Sequence, residues 1–267
     1  GPNLQNIPVK TPRGKAIRNA FIPEKGKALI AIDYSQFELR IAAFLSGDEK
    51  LISIFKQGQD VHAAVASEVF QVPLEEVTSD MRRKAKVINF GILYGMGVNA
   101  LRQNLGGTRD EAKQFYDAYF NRFTALATYL EDVKQNVAKI GYTKTFFGRK
   151  RFFPGIRSPL PFIRASAERM AINAPIQGTQ ADLIKIAMKK VDDLFEKKDL
   201  KKTNQAHLLL QVHDELVYEI DEKIVDSLIK DIKAAMEDVM DEKDRMGVPI
   251  IANVSKGPNW GTLVKVL

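Results

Sequence analysis

Cysteine is absent from this chain, which excludes disulfides and any zinc site built on thiolates. No apolar run approaches the roughly 20 residues a membrane span needs. No signal-peptide pattern opens the chain, which starts Gly1-Pro2 and not with methionine. Repeats and low-complexity linkers are missing too. Negative charge is in deficit: 33 acidic side chains face 40 lysines and arginines, a net charge of +7, and the pI is near 9.3. That balance suits a polyanionic partner. Tryptophan occurs once, at position 260, and reads as packing. What is present is a length of 267 residues with 45% apolar side chains, enough for one sizeable domain or two small ones.

Helical periodicity covers roughly 36–70, 80–95, 109–140, 161–198 and 222–240. Thr108 and Glu111 form a capping-box pattern ahead of one helix. Residues 142–153 read as a hairpin through Gly148, and residues 249–254 can supply a last strand. Pro175 is expected to kink or break the helix around it.

Three stretches carry the chemistry. In the segment from Arg82 to Gly97, Arg82, Lys86, Phe90 and Tyr94 recur every four residues and share one helix face. One end of that face is cationic and the other aromatic, so it could hold a polyphosphate and stack a base or sugar. Taken alone, such a stretch reads more readily as a solvated basic turn followed by core aromatics. The other two stretches shift the balance. Residues 28–40 are an apolar strand ending in Asp33, followed from Gln36 by a helix with Glu38 in its first turns. Residues 208–220 are two apolar arms around His213, Asp214 and Glu215, a β-hairpin with acids at its tip. If the strands of Asp33 and Asp214 are neighbours, two carboxylates meet at one sheet edge. Such a pair is costly without a cation, and hard oxygen ligands favour Mg²⁺. The acid-bearing strands flank the helical middle, which is therefore expected to be inserted between two halves of one sheet layer.

In this order the three stretches resemble the three sequence motifs of family A DNA polymerases, the bacterial DNA polymerase I type. Asp33-Tyr-Ser-Gln-Phe-Glu-Leu-Arg40 resembles the first, Arg82 through Gly95 the second, and Val212-His-Asp-Glu215 the third. Asn3 to Pro8, Asp60-Val61-His62, Phe147-Gly148-Arg149 and the run from Glu168 to Thr179 extend the match to about Trp260. The resemblance implies an α+β fold, the right-hand polymerase palm with an antiparallel sheet and an inserted helical fingers subdomain. It implies a palm from residues 1–40 and 160–267 and fingers from 41–159. It implies Mg²⁺-dependent transfer of deoxynucleotides from dNTPs to a primer 3′-hydroxyl on primer-template DNA, by a monomer with no membrane association, in the bacterial cytoplasm at the nucleoid.

The resemblance also assigns roles. Asp33, Asp214 and the backbone carbonyl of Tyr34 would hold two Mg²⁺ ions, for which Mn²⁺ would substitute, and Glu215 would add charge nearby. Arg82 and Lys86 would grip the triphosphate, Lys86 also serving as proton donor to the pyrophosphate. Phe90 would lie against the sugar and Tyr94 beside the template base. Glu38 would crowd the sugar 2′ position, and Gln36 and His62 would flank the nucleotide. Arg169, Asn173 and Gln177 recur at helical spacing, a stripe suited to the minor groove, whose acceptors are nearly alike in all correct pairs. His213 would approach the primer terminus. Lys10 stands where the family commonly has arginine, and Ala64 where threonine is frequent. The thumb and exonuclease regions of the family would lie upstream, so the expected enzyme is distributive. The alternatives are a catalytically weak or inactive nucleic-acid-binding fragment and, more distantly, a metal-dependent phosphohydrolase.

Overall fold

The computed structural model describes residues 6, 7 and 11–267. In chain order the elements are α1 (Pro12–Asn19), β1 (Lys27–Tyr34), α2 (Phe37–Ser46), α3 (Glu49–Lys56), α4 (Val61–Phe70), α5 (Ser79–Leu93), α6 (Val98–Leu105), α7 (Arg109–Arg122), α8 (Thr124–Ile140), β2 (Tyr142–Lys144), β3 (Lys150–Phe152), α9 (Pro161–Lys197), β4 (Ala206–Val212), β5 (Glu215–Asp221), α10 (Val225–Glu237), β6 (Ala252–Gly257) and β7 (Val264–Lys265). They divide into two compact units.

The first unit comprises Gly1–Phe37, Ala181–Asp241 and Ile250–Leu267. Its sheet runs β4-β5-β1-β6-β7 with antiparallel pairing throughout. β1 is central, and Ala28 to Ile32 are buried in an unbroken run, as a strand covered on both faces requires. Leu29, Ala31, Val212, Val217 and Trp260 form one buried cluster, against which Phe21, Leu210 and Leu263 pack. Helical side chains supply further core: Leu183, Ala187, Val191 and Phe195 from α9, and Leu228, Ile232 and Met236 from α10. Phe195 meets Tyr218 of β5 edge-on at 5.6 Å. The Tyr34 hydroxyl donates to the Met236 carbonyl at 2.7 Å, tying the end of β1 to α10.

The second unit comprises Glu38–Gln180 and Glu242–Pro249. It is helical apart from the β2–β3 hairpin, whose turn passes through Gly148 at φ +84°. The continuous helix expected over 36–70 is three helices. Each break carries a glycine at φ +66°, Gly47 and Gly58, followed by an aspartate N-cap, Asp48 and Asp60. Asp48 serves two helices: one carboxylate oxygen accepts from Leu51 N, and the other from Ala125 N and Leu126 N at the start of α8. The expected capping box forms at Thr108 and Glu111. Pro175 does not break α9, which runs 37 residues across it. One missing backbone bond costs about 3 kcal/mol. Burial of Ala171, Ala174, Ile176 and Leu183 on either side offsets that.

Candidate functional site

β1 and the β4–β5 hairpin build an acidic edge on the first unit. Asp33 lies directly opposite Glu215 in the β1–β5 register, and Val212 opposite Glu215 closes the hairpin. Directly opposed residues share a face with Cβ atoms about 5 Å apart, and like charges there are destabilising. His213 and Asp214 are the two-residue turn. His213 adopts φ +54°, a positive φ at the first residue of a two-residue hairpin turn, and its carbonyl accepts from the Gln211 side-chain amide at 2.7 Å. The exposed imidazole stands at the tip, while Asp33, Asp214 and Glu215 are half-buried.

The electrostatics record that crowding. Burial pushes the Asp33 carboxyl above the usual carboxylate range, against a hydrogen bond from Asn253 and the charge of Lys265. Burial raises Asp214 as well, and the Asp33 charge adds to it. Glu215 is raised by burial and by both aspartates, while the Trp260 hydrogen bond and the Arg18 charge pull it down. Among the described residues no three histidine or acidic side chains converge to hold one ion. Two half-buried carboxylates pushed up by burial, Asp214 also by the charge of Asp33, fit a small hard cation that keeps waters and draws its other oxygens from substrate phosphates, as Mg²⁺ does. Tyr34 can offer such an ion only its backbone. Its ring is buried, stacked on Phe37 at 4.1 Å, and its hydroxyl is committed to Met236. Gln36 follows at φ +52°, turning the chain from β1 into α2.

On the second unit, α5 is capped by Thr78 and carries the cationic–aromatic face. The Arg82 guanidinium grips Asp60 Oδ2 through Nε at 3.0 Å and Nη2 at 2.7 Å. The other oxygen of Asp60 caps α4, accepting from His62 N and Ala63 N at 2.9 Å each. Lys86 is exposed one turn on. Arg83 and Lys84 both pair with Asp80 instead. Phe90 is half-buried with its ring 5.8 Å from the His62 ring. Tyr94 caps α5, is 44% exposed, and donates to Glu38 Oε1 at 3.0 Å.

His62 is buried and its Nδ1 lies 2.9 Å from the Asn89 amide nitrogen, so Nδ1 accepts and Nε2 carries the proton. Burial first, then the Arg82 and Lys86 charges, hold its pKa down at about 4, against the pull of Asp60. It can therefore offer a phosphate a hydrogen bond but no charge at neutral pH. A depressed histidine pKa costs stability on the acid side. The unfolded chain protonates first, so the loss begins near the ordinary histidine value of 6.5 and is complete below about 4. After allowance for solvent screening the loss is about 2 kcal/mol. His62→Gln should flatten the melting-temperature profile between those two pH values. A wild-type acid slope in that variant would exclude His62 as its source.

The polar stripe on α9 is not uniformly outward. Arg169 and Gln177 are exposed, but Asn173 is buried and its amide donates to the Leu93 carbonyl at 3.0 Å. The cause is the end of α5, where a carbonyl without a helical partner needs a donor. The chain just beyond is tightly set: a Cβ on Gly95, at φ +68°, would lie 3.2 Å from Arg169 Cα. Lys10 lies outside the described residues. Three side chains with no motif to mark them join these sites: Asn253 on Asp33, and Trp260 and Arg18 on Glu215.

Comparison with known proteins agrees with this arrangement. The model of DNA polymerase family A matches residues 1–262. The chain is 44% identical over 259 residues to DNA polymerase I of Pseudomonas aeruginosa, and 45% identical over 259 residues to the thermostable DNA polymerase I of Thermus aquaticus. In each case 97% of this chain is covered, but only 28% and 30% of the relative, so the chain spans less than a third of their length. A solved structure described as the POL domain of Pol1 from M. smegmatis in complex with DNA primer-template and dNTP superimposes with a TM-score of 0.87. It is 41% identical and covers 97% of this chain and 45% of its own. With the motifs, the antiparallel sheet carrying the acids and the inserted helices all in agreement, the chain belongs to DNA polymerase family A.

Proposed function

We propose that this chain carries the nucleotidyl-transfer part of a template-directed DNA polymerase, adding deoxynucleotides from dNTPs to a primer 3′-hydroxyl. The observation that carries the reading is the like-charged pair Asp33 and Glu215, opposed across β1 and β5 with Asp214 in the adjoining turn, in a chain of this family. Asp33, Asp214 and the Tyr34 carbonyl would hold two Mg²⁺ or Mn²⁺ ions. When bound, these supply Lewis-acid stabilisation of charge at the reacting phosphate. Arg82 and Lys86 bind the triphosphate, and Lys86 supplies a proton to the departing pyrophosphate. Phe90 backs the sugar and Tyr94 the template base. Gln36 and His62 flank the nucleotide, Arg169, Gln177, His213 and Lys10 contact the primer-template, and Asn173 holds the end of α5 beside them through the Leu93 carbonyl. The palm would draw on residues 1–40 and 160–267, and the fingers on 41–159.

Primer extension by this polypeptide, with and without Mg²⁺, tests the reading. Extension at low salt should add a few nucleotides per encounter. The chain is basic overall, and its grip on the duplex should rest largely on phosphate contacts that release counterions. Raising salt from about 50 to 200 mM should then lower affinity by orders of magnitude. DNA binding with no Mg²⁺-dependent extension under any salt would instead select the inactive binding fragment.

Sugar discrimination tests the nucleotide's placement. Glu38→Ala should raise ribonucleotide incorporation about 10-fold or more, because it opens space for a 2′-hydroxyl at a loss of only a few kcal/mol of discrimination. Phe90→Tyr should raise acceptance of 2′,3′-dideoxynucleotides by supplying a hydroxyl where the sugar lacks one. If single-turnover assays show neither change, the nucleotide does not sit on this face.

A further inference from the structure

Glu215 is held from outside the acidic edge by residues that no motif marks. Trp260 is buried, and its indole N–H donates to Glu215 Oε1 at 2.9 Å. An indole N–H is a donor only, so burial obliges it to find an acceptor. Arg18, in the last turn of α1, lays its guanidinium 4.0 Å from the centroid of the same indole. Its Nε is buried with no hydrogen-bond partner among the described residues.

The bracket is rigid. Trp260 N donates to the Phe21 carbonyl at 3.0 Å, and the Phe21 ring packs edge-on against the indole at 5.5 Å. A Cβ on Gly261 would come 1.9 Å from Asn19 Oδ1, so the loop that carries Trp260 is pressed against the end of α1. Glu215 faces Asp33 across the strands, so an untethered carboxylate there would be driven toward solvent by the neighbouring negative charge.

We propose that Trp260, held under the Arg18 guanidinium, is a positioning residue that locks the Glu215 carboxylate beside Asp33, fixing a third negative charge next to the cation-binding pair. This deepens the reading of the acidic edge and rests on it. Glu215 contributes negative charge at a fixed place beside the pair, and the indole fixes the place. Removing such an outer partner typically lowers metal affinity about 10-fold or more.

The test is a double-mutant cycle on Mn²⁺ binding to the protein alone, read by electron paramagnetic resonance without DNA or nucleotide. Trp260→Phe keeps an aromatic ring under Arg18 but deletes the donor. It should weaken Mn²⁺ binding about 10-fold in the wild type and add nothing in a Glu215→Ala background, because the indole acts only through Glu215. Replacing Trp260 by benzothienylalanine, an isostere with sulfur where the indole has N–H, should show the same dependence on Glu215 and serves if Trp260→Phe unfolds. Wild-type binding by Trp260→Phe, or a full additional loss on top of Glu215→Ala, overturns the inference. If binding then still falls in Asp214→Asn, the acidic edge survives as a cation site. If the wild-type protein binds no Mn²⁺ at all, both fall.

Discussion

Asp33→Ala and Asp214→Ala should each lower nucleotide incorporation by about 10³-fold or more, the scale on which single electrostatic groups act in catalysis. Neither should harm the fold. Both carboxyls are pushed up by burial, and Asp214 also by the charge of Asp33, so the folded protein bears a cost for keeping them ionised. The sign follows from linkage. With native pKa values above those of the unfolded chain, the native state binds more protons, and stability falls as pH rises through the native carboxyl range. Above that range the cost is fully present. The alanine variants, free of it, should melt higher than wild type at neutral pH in the absence of divalent ions. The difference should fade in acid, where both carboxyls are protonated. Mg²⁺ should raise the wild-type melting temperature and leave the variants unmoved. A folded variant that extends primers at near-normal rates would remove these acids from the reaction. A variant that melts lower at neutral pH would show that they are structural.

The acidic edge was legible because its signal is local. An apolar run ending in an acid and two apolar arms around His213-Asp214-Glu215 are short-range patterns, and β1, β4 and β5 form where those patterns fall. The α5 face was legible for the same reason: a four-residue spacing survives in any helix. What failed was of two kinds. The breaks at Gly47-Asp48 and Gly58 to Asp60 were written in the sequence as positive-φ glycine followed by an aspartate cap, but apolar periodicity runs straight through them and hides them. Pro175 failed in the opposite sense, since the local rule was right and burial along α9 outweighed it. The second kind was invisible in principle. Asp60 on Arg82, Asn253 on Asp33, and Trp260 and Arg18 on Glu215 join positions between 22 and 220 residues apart. Only the folded register brings them together. Trp260 reads as packing from sequence, and it does pack, but its one polar atom faces an acid of the site.

Lys86→Ala and Arg82→Ala should cut dNTP use by about 10²-fold or more in kcat/KM, since each removes charge-assisted hydrogen bonds to a triphosphate worth roughly 1.5–3 kcal/mol apiece. DNA affinity should move far less. The two residues differ in what else they touch. Lys86 is exposed in the interior of α5, where alanine is at least as good a helix former, so its removal should not lower the melting temperature. Arg82 is already bound, its fork closed on Asp60 Oδ2. That pair is exposed enough to contribute under about 1 kcal/mol to stability, and Asp60 keeps capping α4 through its other oxygen when Arg82 is gone. On the proposed reading a triphosphate would compete with one carboxylate for the guanidinium, favoured by its larger charge and by the weakness of the exposed pair. Arg82→Lys retains the charge but not the planar two-donor fork. It should recover only part of the lost activity, whereas a site that needs charge alone would be fully rescued. The measurement is single-turnover incorporation against dNTP concentration, beside equilibrium binding of primer-template. Equal losses in duplex affinity, with an unchanged dNTP dependence, would move Arg82 and Lys86 from the nucleotide to the DNA backbone.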